Sequence, residues 1–256
     1  KLIKTRHSFV PFFSNDEMRE NRMKAKYNRI LLKMSGEALA GDKGFGLDND
    51  TLGKVCKQLK VISDMGVQIA IVVGGGNFWR GRSSERMNRS TADYIGMMAT
   101  VMNSLALQEG LESAGIDSVV QTAIEMGRLA EGYNRRNAVA HLNSGKVVIF
   151  GAGTGCPFFS TDTTAALRAA EIEAEVILMA KNIDAVYSDD PKINPDAVRY
   201  SELTHAEVLE KDLKVTDATA AALCRDNNIA IHVFGLAETD GMKKAICGET
   251  IGTIIK

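Results

Sequence analysis

The chain has 256 residues, 45% of them hydrophobic and 25% charged, with a formal net charge of −1. That is enough chain for one large core or two small ones. The near-neutral balance leaves no global electrostatic footprint for nucleic acid, and no stretch is apolar for the length of a membrane span. Cys56, Cys156, Cys224 and Cys247 stand far apart without a CxxC pair, which argues against a zinc site. They suit unpaired thiols, and a cytoplasmic location is expected.

Residues 1–26 carry Lys1, Lys4, Arg6, Arg19, Arg22, Lys24 and Lys26 with little periodicity. They read as a flexible basic leader or an arm left by cloning, ahead of a single domain over 27–256. Arg29–Lys33 reads as a strand ending in Lys33-Met34-Ser35-Gly36-Glu37. The loop Gly41-Asp42-Lys43-Gly44-Phe45-Gly46 follows, then a helix from about Asp50 to Met65. Val67–Val73 is a second strand and opens directly onto Gly74-Gly75-Gly76-Asn77-Phe78-Trp79-Arg80. A long helical region runs to Gly115, with Ile95, Met98, Met102 and Leu105 at helical spacing; core or subunit packing is expected of its methionines. Ser118–Thr122, Lys146–Phe150, Glu175–Met179 and Ile229–Phe234 supply further strands. Lys181 to Tyr200, with Asp189-Asp190-Pro191 and Asn194-Pro195, reads as an irregular excursion. Strands alternating with helices predict an α/β fold, a three-layer α/β/α sandwich with a mainly parallel central sheet.

The stretch Gly151-Ala-Gly-Thr-Gly-Cys-Pro-Phe-Phe-Ser-Thr-Asp162 lies between a strand and a helical run. Its glycines let backbone approach a ligand, and the free N–H groups of a helix start point at an anion. Ser160, Thr161, Thr163 and Thr164 add hydroxyls there, although Ser, Thr and Asp also head ordinary helices. Lys33, Gly74–Gly76 and Gly151–Gly155 all fall at the carboxyl ends of strands, where ligands gather in parallel sheets.

Two glycine turns suggest two anionic groups, a donor and an acceptor. Phosphoryl transfer needs phosphates held in line and charge neutralised. Lys33 can reach the moving group, or be a solvated strand-end lysine. Arg80 can clamp a phosphate, or be a surface charge beside Arg82 and Arg86. Asp162 and Asp217 can orient a lysine or hold Mg²⁺, or cap helices. Asp93 is bland by itself, and the four histidines lack nucleophile neighbours. GxxxxGK[ST] and the protein-kinase signatures are absent, and Gly74-Gly-Gly-Asn-Phe-Trp does not complete GxGxxG.

Lys33-Met-Ser-Gly-Glu-Ala-Leu39, Gly74-Gly-Gly-Asn-Phe-Trp-Arg-Gly81, Met97-Met-Ala-Thr-Val-Met-Asn103 and Gly151–Asp162, in this order, resemble the bacterial uridylate (UMP) kinases, of the amino-acid-kinase fold. The likeness runs from about Tyr27 to the C-terminus. It implies transfer of the γ-phosphate of ATP to UMP, with Mg²⁺ and no P-loop. It implies catalytic roles for Lys33, Asp162 and Asp217. It puts Lys33, Met34, Ser35, Gly36, Gly76 and Arg80 at the ATP phosphates, and Asn182, Tyr187 and Asp190 at the base and ribose. Lys181 competes with Asn182 for the adenine position. Gly75, Asp93, Thr154, Gly155, Cys156, Pro157, Phe158, Phe159, Ser160 and Thr161 look like the UMP site. Gly41, Asp42, Lys43, Gly44, Phe45 and Gly46 match a segment linked to activation by GTP. The resemblance further implies a homohexamer inhibited by UTP, with no nucleic-acid or membrane partner.

Two positions depart from the family pattern: Cys156 where Asn is usual, and Ala185 where Gly is usual. Two other readings stay open. One is a small-acid kinase such as acetylglutamate kinase, which lacks this Thr-Gly-x-Pro-Phe-Phe loop. The other is a non-catalytic nucleotide sensor or oxoanion-binding protein on the same fold.

Overall fold

The computed structural model describes residues 24–79, 87–236 and 238–256. Its strands are β1 (Arg29–Met34), β2 (Gln68–Val73), β3 (Ser118–Thr122), β4 (Glu131–Gly132), β5 (Val147–Gly151), β6 (Val176–Lys181), β7 (Val186–Tyr187), β8 (Arg199–Tyr200), β9 (Glu202–Leu203), β10 (Ala230–Gly235) and β11 (Thr253–Ile255). Nine of these described strands form one sheet in the order β4-β3-β5-β2-β1-β6-β10-β11-β9, while β7 and β8 make a separate antiparallel ribbon. Every neighbouring pair in the large sheet is parallel except β10 with β11.

The helices are α1 (Glu37–Ala40), α2 (Asn49–Asp64), α3 (Arg89–Ser113), α4 (Arg135–Asn143), α5 (Thr161–Glu171), α6 (His205–Glu210), α7 (Ala218–Asp226) and α8 (Gly241–Ile246). The period-2 alternation of β1 divides them between two faces. Ile30, Leu32 and Met34 pack with residues of α2, α3 and α8, whereas Leu31 packs with α4, α5, α6 and α7. The result is the expected three-layer α/β/α arrangement, with both sheet faces covered.

The six long strands lie within a residue or two of their expected spans. The chain winds from β1 toward β2 and later returns to place β6 on the other side of β1, so β1 and β6 flank a switch point. Ordered packing begins slightly before Tyr27, since the Lys26 N–H donates to Ile246 O at 2.9 Å and Ala25 packs against the core. Residues 1–23 of the basic leader lie outside the described residues.

On helix α3 the methionines divide between core and surface: Met97 is buried, whereas Met98 and Met102 are 47% and 46% exposed. The face turned inward carries Ala99, Thr100, Asn103, Ser104 and Leu107. Buried polar residues on that face hide its inward orientation from a hydrophobic count.

Candidate active site

On β1, Lys33 follows Leu31 on the face covered by α5, and this brings it to the first turn of that helix. Lys33 Nζ stands 2.7 Å from Asp162 Oδ1, with the two side chains only 13% and 19% exposed. Helix α5 begins there because Ser160 caps it: its hydroxyl oxygen accepts from the N–H groups of Asp162 and Thr163 at 3.0 and 3.1 Å.

Asp217 caps α7, accepting from the Ala220 N–H at 2.8 Å. It also receives the Ser160 hydroxyl, and the Thr163 hydroxyl at 2.9 Å. Burial acts to raise its pKa, but the hydrogen bonds from Ser160, Ala220 and Thr163 hold the carboxyl below its ordinary value. Of the three residues expected to be catalytic, Lys33 and Asp162 meet directly. Asp217 joins them through the cap of α5.

Lys181 ends β6, the strand next to β1, and its ammonium donates to Val215 O. Burial pushes its pKa down and the neighbouring Lys33 charge adds to this, against the opposing pull of Asp162. Lys181 therefore belongs to the charged cluster. Two lysines ending neighbouring parallel strands are the signal in the sequence that could have placed it there.

On one side of this cluster opens a cavity of about 710 Å³ lined by Lys33, Ser35, Lys181, Asn182, Tyr187 and Asp190, among others. Tyr187 donates its hydroxyl to Asp184 Oδ1 at 3.0 Å, and Asp190 accepts the Lys192 N–H at 2.9 Å in the rim turn. Met34 does not line this cavity, and its side chain is fully buried in the core, which leaves only its backbone for the expected nucleotide contact. A Cβ on Gly36 would stand 2.6 Å from Gly74 O, so glycine is what lets the two turns touch; Gly76 faces Glu37. Arg80 lies outside the described residues.

A second, smaller cavity of about 150 Å³ is walled by Gly75, Asp93, Thr154, Phe159, Ser160 and Thr161, among others. Those six of the ten residues expected at the acceptor come together. Gly155 opens instead onto a neighbouring groove with Tyr94 and Met98, and Cys156, Pro157 and Phe158 line neither space. The Phe158 N–H donates to Asp93 Oδ2 at 2.8 Å, with Phe158 at φ 73°, a strained value for a bulky residue. Arg89 bonds the same carboxylate at 2.9 Å. Cys156 is exposed, and its N–H donates to the Thr154 hydroxyl oxygen at 3.2 Å.

The loop Gly41–Gly46 lines neither cavity. Gly41, Gly44 and Gly46 take positive φ, Lys43 pairs with Asp48 at 2.8 Å, and exposed Phe45 meets Phe78 edge-on. Its last residue is tied to the glycine turn, since the Gly46 N–H donates to Asn77 O at 3.0 Å. Among the described residues, no group of three or more His, Cys, Asp or Glu is placed to hold a metal ion. Within the same residues, no helix is long and apolar enough to cross a membrane.

Residues 28–235 match the amino acid kinase family. Among solved structures, the chain is similar to the UMP kinase of Bacillus anthracis, with 39% identity, 90% of this chain and 96% of that one covered, and a TM-score of 0.87. It is also similar to the UMP kinase of Ureaplasma parvum, at 39% identity, 90% and 98% coverage and a TM-score of 0.85. The uridylate kinase of Archaeoglobus fulgidus matches at 28% identity, 89% and 99% coverage and a TM-score of 0.69.

Proposed function

The chain belongs to the amino acid kinase family, and from that premise we propose that it is a UMP kinase, transferring the γ-phosphate of ATP to UMP to give ADP and UDP. The observation that carries this reading is the Lys33–Asp162 pair, whose neighbourhood reaches both cavities. Lys33 lines the larger, and Thr161, which precedes Asp162, lines the smaller. The larger takes ATP, and the smaller takes the UMP phosphate against the start of α5, whose N–H groups favour an anion.

An oxygen of the UMP phosphate attacks the γ-phosphorus as the bond to ADP breaks. The ammonium groups of Lys33 and Lys181 neutralise charge on the moving group, Asp162 orients Lys33, and Asp217 holds the α5 cap in place. The donor set fits an ion that arrives with nucleotide: no protein cage gathers among the described residues, and Asp162 lies beside the phosphate path. Mg²⁺ on the ATP phosphates would neutralise charge there, with Asp162 as its protein neighbour.

Regulation and assembly follow the same reading. The loop Gly41–Gly46 is the segment through which GTP activates, supported by its backbone tie to Asn77, and UTP inhibits. The exposed face of Tyr94, Met98 and Met102 on α3 supports association of copies, as a hexamer. The free thiols are in keeping with a cytoplasmic enzyme of pyrimidine biosynthesis.

The test is ADP release with ATP and Mg²⁺, offering UMP, CMP and N-acetylglutamate in turn, with Lys33→Ala as control. Turnover with UMP alone, lost in the variant, is expected. Binding of UMP without turnover would favour the sensor reading, and turnover with the acid would favour a small-acid kinase.

A further inference from the structure

In the motif Met97–Asn103, Met97 and Thr100 help to wall the smaller cavity, and the helix that carries them touches both glycine turns. Asn103 is fully buried and Asn77 nearly so, and their side-chain amides bond reciprocally. Asn103 Nδ2 donates to Asn77 Oδ1 and to Gly74 O, each at 2.7 Å. Asn77 Nδ2 donates to Asn103 Oδ1 at 3.0 Å and to Gly46 O at 2.6 Å. All four amide protons are used and both amide oxygens accept, a fully satisfied buried network.

One helical turn earlier, the Thr100 hydroxyl oxygen accepts the buried Ala152 N–H at 2.8 Å, inside the second glycine turn. Ala152 is a non-glycine residue at φ 61°, a strained conformation this bond helps to hold. Close packing completes the seat: a Cβ on Gly75 would stand 2.8 Å from Gly96 O, and one on Gly151 would stand 3.2 Å from Ser104 Oγ.

We propose that Asn103 and Thr100, with Asn77, are positioning residues: the buried polar face of α3 sets the distance between the Gly74–Asn77 turn, which brings Gly75 to the smaller cavity and Gly76 toward the expected donor phosphates, and the Gly151–Gly155 turn, which brings Thr154 to the smaller cavity. This rests on the UMP kinase reading. Its physical basis is that small misplacement of either phosphate costs rate far more than it costs binding. A bond from one rigid helix to each turn is a direct way to fix their separation.

The experiment compares wild type, Asn103→Leu, Thr100→Val and Thr100→Ser. It reads kcat and KM for each nucleotide per folded molecule, and amide exchange in residues 74–77 and 151–155. Asn103→Leu is expected to lower kcat about 100-fold and Thr100→Val about 10-fold, with KM for ATP moving much less. Thr100→Ser, which keeps the hydroxyl, should recover most of what Thr100→Val loses. Exchange should quicken in the turn whose bond is removed. A lower melting temperature with unchanged kcat per folded molecule would overturn the proposal, as would unchanged exchange in both turns. If Asn103→Leu fails to fold, the Thr100 pair decides by the same criteria. If wild type itself turns over no UMP, the kinase reading fails, and exchange alone decides whether α3 holds the turns.

Discussion

Lys33 Nζ and Asp162 Oδ1 stand 2.7 Å apart, joining the end of the central strand β1 to the first turn of α5. The pair is mostly shielded from water, so its charges act through a lower dielectric than a surface pair would. It also ties Lys33, in the lining of the larger cavity, to the residue that follows Thr161 in the wall of the smaller one.

Removing the charge of Asp162 should shift the pH dependence of the reaction. Lys181 is already depressed by burial and by Lys33, while Asp162 favours its charged form. In Asp162→Asn that support disappears, so Lys181 gives up its proton at lower pH. The expected outcome is an alkaline limb of kcat displaced to lower pH, with kcat at neutral pH down roughly 100-fold. A pH–rate profile checks it; an unmoved alkaline limb would mean that Asp162 does not support the Lys181 charge in the working enzyme.

Asp217→Ala removes the cap of α7 and two hydroxyl partners at the start of α5. A lost N-cap costs about 1–2 kcal/mol, measured by urea denaturation. The native carboxyl is depressed below the unfolded value of 3.8, so its stabilisation is fully present above that value and lost as pH falls through the lower folded one. The gap between wild type and variant should therefore narrow in strong acid. Asp217→Asn, which keeps an oxygen for the Ala220 N–H, should lose less.

Two glycines should respond in opposite directions to alanine. A Cβ on Gly36 would run into Asn77 Oδ1 and stand 2.6 Å from Gly74 O, so Gly36→Ala must push the two turns apart. A cost of about 1–3 kcal/mol and a large fall in kcat are expected. Gly53 lies within α2, and a Cβ added there would meet nothing within 4 Å, so Gly53→Ala should stabilise by about 0.5–1 kcal/mol. Thermal or urea denaturation of the two variants reads both signs.

Cys156 stands in the acceptor loop, exposed, with its backbone held by Thr154. A thiol is a weak hydrogen-bonding group, and an amide at that position supplies a stronger one. Because Cys156 lines neither cavity, Cys156→Asn should leave KM for UMP nearly unchanged. Steady-state kinetics with UMP varied tests this, and a fall of about fivefold, the equivalent of roughly 1 kcal/mol for one neutral hydrogen bond, would mean that the side chain reaches the nucleotide.

The six long strands were legible because β-branched and aliphatic runs state their own character wherever they are placed. The strands β4, β7, β8, β9 and β11 were not, because each has only two or three residues and exists through its partner. Helix α3 was legible as a helix but not in orientation: its spacing left core and subunit packing open for Met98 and Met102, which are exposed, and gave no sign that Asn77 and Asn103 are buried. Burial of two amides is favourable only when each satisfies the other, and no linear pattern reports that pairing. Met34 shows the reverse limit, since its place in the motif said nothing of its side chain turning into the core.

By itself, the sequence determined the α/β class, the glycine turns at strand ends and the motifs that resemble a nucleotide kinase, because these depend on local residue type and spacing. Only the tertiary structure decided that Lys33 meets Asp162, that Lys181 joins them, and that Asp217 holds a helix cap. Those relations arise where strands distant in the chain become neighbours. Their energies come from burial, from opposed charges and from hydrogen bonds completed across the fold.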